Sequence, residues 1–117
     1  MSVTFNRTLR KVAISDSKYS YMYNPSYEKP QWNAGHTFND ADMAYLMIPR
    51  PFMVERGRDD EVAPDSWVAY EYAKVRRLYN QLGIGDRTEI EFFNGGHWIN
   101  GQGTFEFLHK HLNWPKR

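Results

Sequence analysis

The chain has 117 residues, no cysteine, and fifteen basic against fourteen acidic side chains for a net charge of +1. That length supports one domain. The balanced charge, with no block of one sign, gives no case for nucleic acid or an anionic membrane as partner, and the missing cysteines remove disulfides, thiolate chemistry and Cys-based zinc sites. Apolar residues at 41% and aromatics at 16% exclude a disordered chain, while no apolar run approaches the roughly 20 residues of a membrane span. Residues 1–7 lack the apolar stretch of a signal peptide, so the expectation is a soluble chain of unassigned compartment.

In chain order, residues 1–38 read as an amino-terminal segment with one candidate strand, Leu9 to Ile14. A stretch rich in Tyr, Pro, Asn and Gly follows (Tyr19, Tyr21, Tyr23, Pro25, Tyr27, Pro30, Gly35) and reads as an ordered loop packed by its own rings, or as a lid facing a substrate. Residues 39–117 form the second segment. Asn39 or Asp40 caps a short helix through Met47, with Met43, Leu46 and Met47 on its apolar face. Pro49 and Pro51 stop it, because proline cannot continue the hydrogen-bond ladder. Phe52-Met53-Val54, running on to Gly57, is the continuous apolar run of a buried parallel strand. Val68, Tyr72, Val75, Tyr79 and Leu82 then recur at alternating steps of four and three, which predicts a helix over 65–82 with one apolar face. Gly83 suits its left-handed close. Thr88–Phe93, β-branched and aromatic, is the next strand, and Thr104 caps a last helix through Asn113 with Phe105, Leu108 and Leu112 on one face. Trp114-Pro115 ends it.

Helix, strand, helix, strand, helix predicts parallel strands joined by a right-handed crossover helix. In open α/β sheets functional groups collect beyond the carboxyl ends of the strands. Two motifs fall there: Gly57-Arg58-Asp59-Asp60-Glu61-Val62-Ala63-Pro64 after the first strand and Asn94-Gly95-Gly96-His97 after the second. Adjacent strands bring the two loops side by side. Asp60 then accepts a hydrogen bond from one ring nitrogen of His97, leaving the other to take a proton from a hydroxyl. Gly95 and Gly96 let the backbone turn sharply enough to project His97. The plainer alternatives are that Asp60 braces a turn and His97 packs. Asp59 and Glu61 read as solvated loop charges, and His36 as a loop histidine. His109 and His111, two apart on a helix, point in different directions and cannot clamp one ion. Trp98 is either a wall of a substrate pocket or ordinary packing. Nothing in the sequence calls for a cofactor or a metal.

Taken together, Pro49-Arg50-Pro51-Phe52-Met53-Val54, the Gly57-x-x-Asp60-x-x-x-Pro64 loop, the following helix and Phe93-Asn94-Gly95-Gly96-His97 resemble the carboxyl-terminal third of α/β-hydrolases. The esterases of the dienelactone-hydrolase and acetyl-xylan-esterase type look most similar. The resemblance runs from about Asn39 to Trp114. It implies a carboxyl-terminal segment of that fold with an incomplete sheet, Asp60 being the triad acid after the family's seventh strand and His97 the general base after its eighth. The family also needs a serine on a strained strand-to-helix turn. No Gly-x-Ser-x-Gly occurs, and Ser2, Ser15, Ser17, Ser20, Ser26 and Ser66 all lack that setting. The family's oxyanion donors, from the residue after the nucleophile and an earlier loop, have no counterpart here either.

The expectation is therefore a carboxylic-ester hydrolase segment acting on a small-molecule ester. It supplies acid and base while the nucleophile comes from upstream or from a companion chain, and it is inactive alone. Two competing readings stand beside it. One is a non-catalytic remnant of the fold that pairs its sheet edges in a homo-oligomer and binds through its aromatic loop. The other is a small enzyme in which Asp60 and His97 activate water directly.

Overall fold

The computed structural model of the chain describes residues 38–115. The candidate strand Leu9–Ile14, the aromatic loop and His36 lie outside the described residues. From Phe38 onward the elements are helix α1 (Asp40–Ala44), strand β1 (Phe52–Gly57), helix α2 (Asp65–Gln81), strand β2 (Thr88–Phe93) and helix α3 (Gln102–Leu112). Short 3-10 turns at Tyr45–Met47 and Gly85–Arg87 precede the two strands. The class is mixed α/β: β1 and β2 pair in parallel as a small open sheet, in register from Phe52 opposite Thr88 to Gly57 opposite Phe93.

The sheet needs a cover because a parallel pair exposes apolar side chains on both faces. On one face α2 provides it. Val68, Tyr72, Val75 and Tyr79 project from one side of this helix and pack with Phe52 and Val54 of β1 and with Ala41 and Ala44 of α1. The stripe predicted from the repeat of four and three is thus the buried one, except at Leu82, which lies at the helix end and is exposed. Gly83 follows with φ of +72°, the left-handed residue expected there. The polar tips inside this core are satisfied. The Tyr79 hydroxyl donates to the Arg50 carbonyl at 2.6 Å, and the Thr88 hydroxyl donates to the Tyr72 oxygen at 3.3 Å. Burial pushes the phenol of Tyr72 above its ordinary 10.0.

Glu71 occupies the same buried stripe. Its carboxylate takes the Ala41 N–H at 3.2 Å and the Lys74 ammonium at 3.0 Å, which ties the start of α1 to α2.

Two predicted faces are wrong. In α1 the buried residues are Ala41 and Ala44, while Met43 and Leu46 are exposed and Met47 is half-buried. The helix is a five-residue turn packed on α2 through its two alanines, and its α-helical bonding ends at Ala44 rather than Met47. In α3 the inward residue is Phe107, and both Phe105 and Leu112 are exposed. This helix starts at Gln102, two residues before the predicted cap, with Gly101 at φ of +81° as its first flanking residue. Thr104 lies inside the first turn and does not cap. Its hydroxyl donates to Glu55 Oε1 at 2.6 Å.

Glu55 and Glu91 explain that start. They face each other across the sheet in register. Glu55 accepts from the backbone N–H groups of Asn100 at 3.0 Å and Gly101 at 2.7 Å, and Glu91 accepts from the Gly103 N–H at 3.1 Å. The first N–H groups of a helix have no partner within it and carry positive charge. Glu91 satisfies one of them at Gly103 and Glu55 the cap N–H of Gly101, while the Asn100 bond pins the segment that follows His97.

Candidate active site

The two motif loops are joined backbone to backbone. Past the last register pair, the Arg58 N–H donates to the Phe93 carbonyl at 2.9 Å and the Asp59 N–H to the Gly95 carbonyl at 2.9 Å. The Asp60 N–H then turns back to the Gly57 carbonyl at 3.1 Å. A side chain at Gly57 would run into the carbonyl oxygens of Gly95 and Gly96, so the loops can close only over a glycine. Side chains on Gly95 or Gly96 would likewise strike the Trp98 ring.

This closure brings together the two residues that the sequence singled out. His97 Nδ1 lies 2.9 Å from Asp60 Oδ2. A carboxylate only accepts, so Nδ1 carries the proton of this bond and Nε2 keeps its lone pair. Asp60 is 4% exposed at its side chain and His97 43% exposed. The acid is thus enclosed while the base reaches solvent. Among the described residues no hydrogen bond reaches His97 Nε2. The second carboxylate oxygen of Asp60, Oδ1, accepts from the Val62 N–H at 2.9 Å, which fixes the carboxylate plane.

Arg56 is a member of the cluster that the sequence reading missed. Its side chain is 4% exposed. The guanidinium lies between Asp60 Oδ2, at 3.1 Å from Nη1, and Asp65 Oδ1, at 2.8 Å from Nε. Its Nη2 donates to the carbonyl of Asp60 at 2.9 Å and also to the carbonyl of Ala63. One planar cation therefore holds the start, end and carboxylate of the 60–63 turn together with the first residue of α2. An arginine buried at the end of a strand must find acceptors, and the acidic loop four positions on supplies them.

The remaining candidates separate cleanly. Asp59 and Glu61 are exposed, as expected of loop charges. Trp98 is beside the pair but 59% exposed; its ring lies 6.4 Å from the Phe93 ring, tilted by 50°. Ser66 is exposed in the first turn of α2. His109 Nδ1 sits 2.8 Å from the Trp114 carbonyl oxygen, whereas the His111 ring packs on Phe107 with centroids 4.4 Å apart. The two rings thus serve different neighbours. Among the described residues no group of three or more His, Cys, Asp or Glu side chains is placed to hold a metal ion, and no helix is long and apolar enough to cross a membrane.

Chemically, the arrangement is an oriented imidazole with one nitrogen bonded to an enclosed carboxylate. It can draw a proton from a hydroxyl brought to Nε2 and hold the imidazolium that results. Compared with family models, with curated proteins and with solved structures, the chain finds no match in any of the three.

Proposed function

We propose that this chain carries the acid and the base of a carboxylic-ester hydrolase of the α/β-hydrolase type, with Asp60 as the orienting acid and His97 as the general base. The observation that carries the reading is the 2.9 Å contact between His97 Nδ1 and Asp60 Oδ2, made by loops that follow adjacent parallel strands. In this reading His97 Nε2 takes the proton of a serine hydroxyl as that oxygen attacks the ester carbonyl. It then returns the proton to the departing alkoxide. A second cycle with water frees the acid. The serine and the oxyanion-hole donors come from outside this sequence, upstream or on a companion chain. The resemblance to dienelactone-hydrolase and acetyl-xylan-esterase type enzymes supports a small-molecule ester as substrate.

Fluorophosphonate labelling combined with ester turnover tests this. The purified chain is expected to give no serine adduct by mass spectrometry. Joined to the coding sequence immediately upstream of Met1, it is expected to give an adduct on an upstream serine and to hydrolyse p-nitrophenyl acetate. That turnover should fall by roughly a thousandfold or more in His97→Ala. An adduct on one of this chain's own serines, or a joined protein that labels upstream yet keeps its ester turnover in His97→Ala, contradicts the proposal.

One observation favours a second reading, the non-catalytic associating protein. A groove of about 240 Å³ runs between β1 and α3, its lining including Met47, Met53, Ile99 and Leu108 beside the polar Glu55 and Thr104, and Ile99 is 76% exposed. Light scattering on the purified chain distinguishes the two. A dimer or higher oligomer without ester turnover in any joined form supports association as the role, whereas a monodisperse monomer counts against it.

A further inference from the structure

We infer that Arg56 is a positioning residue for the Asp60–His97 pair, setting where the Asp60 carboxylate sits and so holding the Nδ1–H bond of the imidazole. The pairing itself is a feature of the fold; its use in ester hydrolysis rests on the function proposed above. Three observations carry the inference. The guanidinium is enclosed, and it bonds both the side chain and the backbone carbonyl of Asp60. Its Nη1 and His97 Nδ1 converge on one atom, Asp60 Oδ2, from 3.1 and 2.9 Å. Its Nε is held by Asp65 at 2.8 Å, so the fork is anchored on α2 while its other arms hold the β1 loop.

Sharing one carboxylate oxygen between two cations has a defined consequence. Two donors approaching one oxygen fix the carboxylate from two directions, so it cannot turn without breaking a charge-assisted hydrogen bond. The charged groups around the shared atom are Arg56 from β1, His97 from the loop after β2, and Asp65 from α2 behind the guanidinium. Arg58, on the 57–64 loop, approaches Asp65 at 3.8 Å, and the flanking Asp59 and Glu61 on the same loop are exposed. Arg56 thus holds the Asp60 carboxylate in line with His97 Nδ1. An ammonium cannot replace it. A lysine offers one point charge and no planar fork, and it cannot reach Asp65, Asp60 and two carbonyls at once.

The test is NMR of the His97 ring in the full 117-residue chain, using isotope-labelled protein and assigning the ring from a His97→Gln spectrum. It needs neither substrate nor serine. In Arg56→Met the hydrogen-bonded Nδ1–H signal is expected to weaken and to lose protection against solvent exchange as the loop loosens. A folded Arg56→Met with unaltered Nδ1–H protection overturns the inference. If circular dichroism shows that Arg56→Met does not fold, Arg56→Lys decides. With the charge kept but the fork lost, a folded Arg56→Lys is expected to lose Nδ1–H protection against solvent exchange. Unaltered protection overturns the inference. Either result leaves the hydrolase proposal standing, and failure of the ester assays leaves this exchange measurement standing.

Discussion

Asp60 Oδ2 serves two donors, and the residues around it are chosen by that demand. Arg56 supplies charge and a fork, His97 supplies the ring, and Gly57 supplies room. The last point gives a sharp prediction. In Gly57→Ala the new methyl group meets the Gly95 and Gly96 carbonyls, and backbone must move because neither neighbour is a flexible side chain. The expected cost is about 1–3 kcal/mol by chemical denaturation. The Nδ1–H signal of His97 is expected to broaden because the loop that carries the ring is displaced. Wild-type stability with an unchanged signal would show that the close approach does not hold the loops together. Asp60 and His97 were legible in the sequence because each motif follows a strand-like run and is marked by glycine. Arg56 was not, because Glu55-Arg56 follows the apolar Phe52-Met53-Val54 as an adjacent pair of opposite charges that reads as the solvated end of the strand. Its role depends on backbone carbonyls at Asp60 and Ala63 that only the folded turn brings within reach.

At the scale of elements, α2 was legible and its neighbours were less so. Helix α2 is 17 residues long with a single buried stripe, and periodicity resolves a stripe of that length. Helix α1 has five residues, too few for a repeat to declare a face, and large apolar side chains such as Leu46 drew attention from the two alanines that make the contact. Helix α3 was displaced because its start is fixed from outside, by Glu55 and Glu91 on the strands, and nothing local to residues 100–104 announces those partners. Two predictions belong here. Val75 has no exposed surface, so Val75→Asp places a carboxylate in the centre of the core and is expected to destabilise the fold by roughly 3–5 kcal/mol, read as unfolding or aggregation in thermal melts. Cooperative melting near the unsubstituted temperature would show that this face is not the core. The second concerns acid. Burial, followed by the neighbouring Lys110 charge, lowers the His111 pKa below its ordinary 6.5, and its Nε2 is buried with no hydrogen-bond partner among the described residues. Below pH 6.5 the unfolded chain therefore binds a proton at His111 that the folded chain refuses. The stability difference is absent well above that pH and grows as pH falls towards the folded value. His111→Phe is expected to lose less stability than the unsubstituted chain between pH 7 and pH 5 in denaturant titrations. Parallel curves would remove His111 from the account.

At the scale of the whole molecule, a pair of parallel strands with one crossover helix is a device for putting two loop tips next to each other. The alternation of elements announced that device in the sequence, and the register from Phe52–Thr88 to Gly57–Phe93 delivers it. What lies along the sheet was not legible: among the described residues β1 and β2 pair only with each other, and nothing in the residues of the strands marks that limit. The central claim is that this arrangement holds His97 with its proton on Nδ1, facing Asp60, and its lone pair on Nε2. Long-range proton–nitrogen correlation NMR of the neutral His97 ring reads that tautomer directly. The account predicts the Nδ1–H form in the unsubstituted chain and a shift towards the Nε2–H form in Asp60→Asn with the fold intact. An Nε2–H tautomer in the unsubstituted chain, or a ring indifferent to Asp60→Asn, would contradict it.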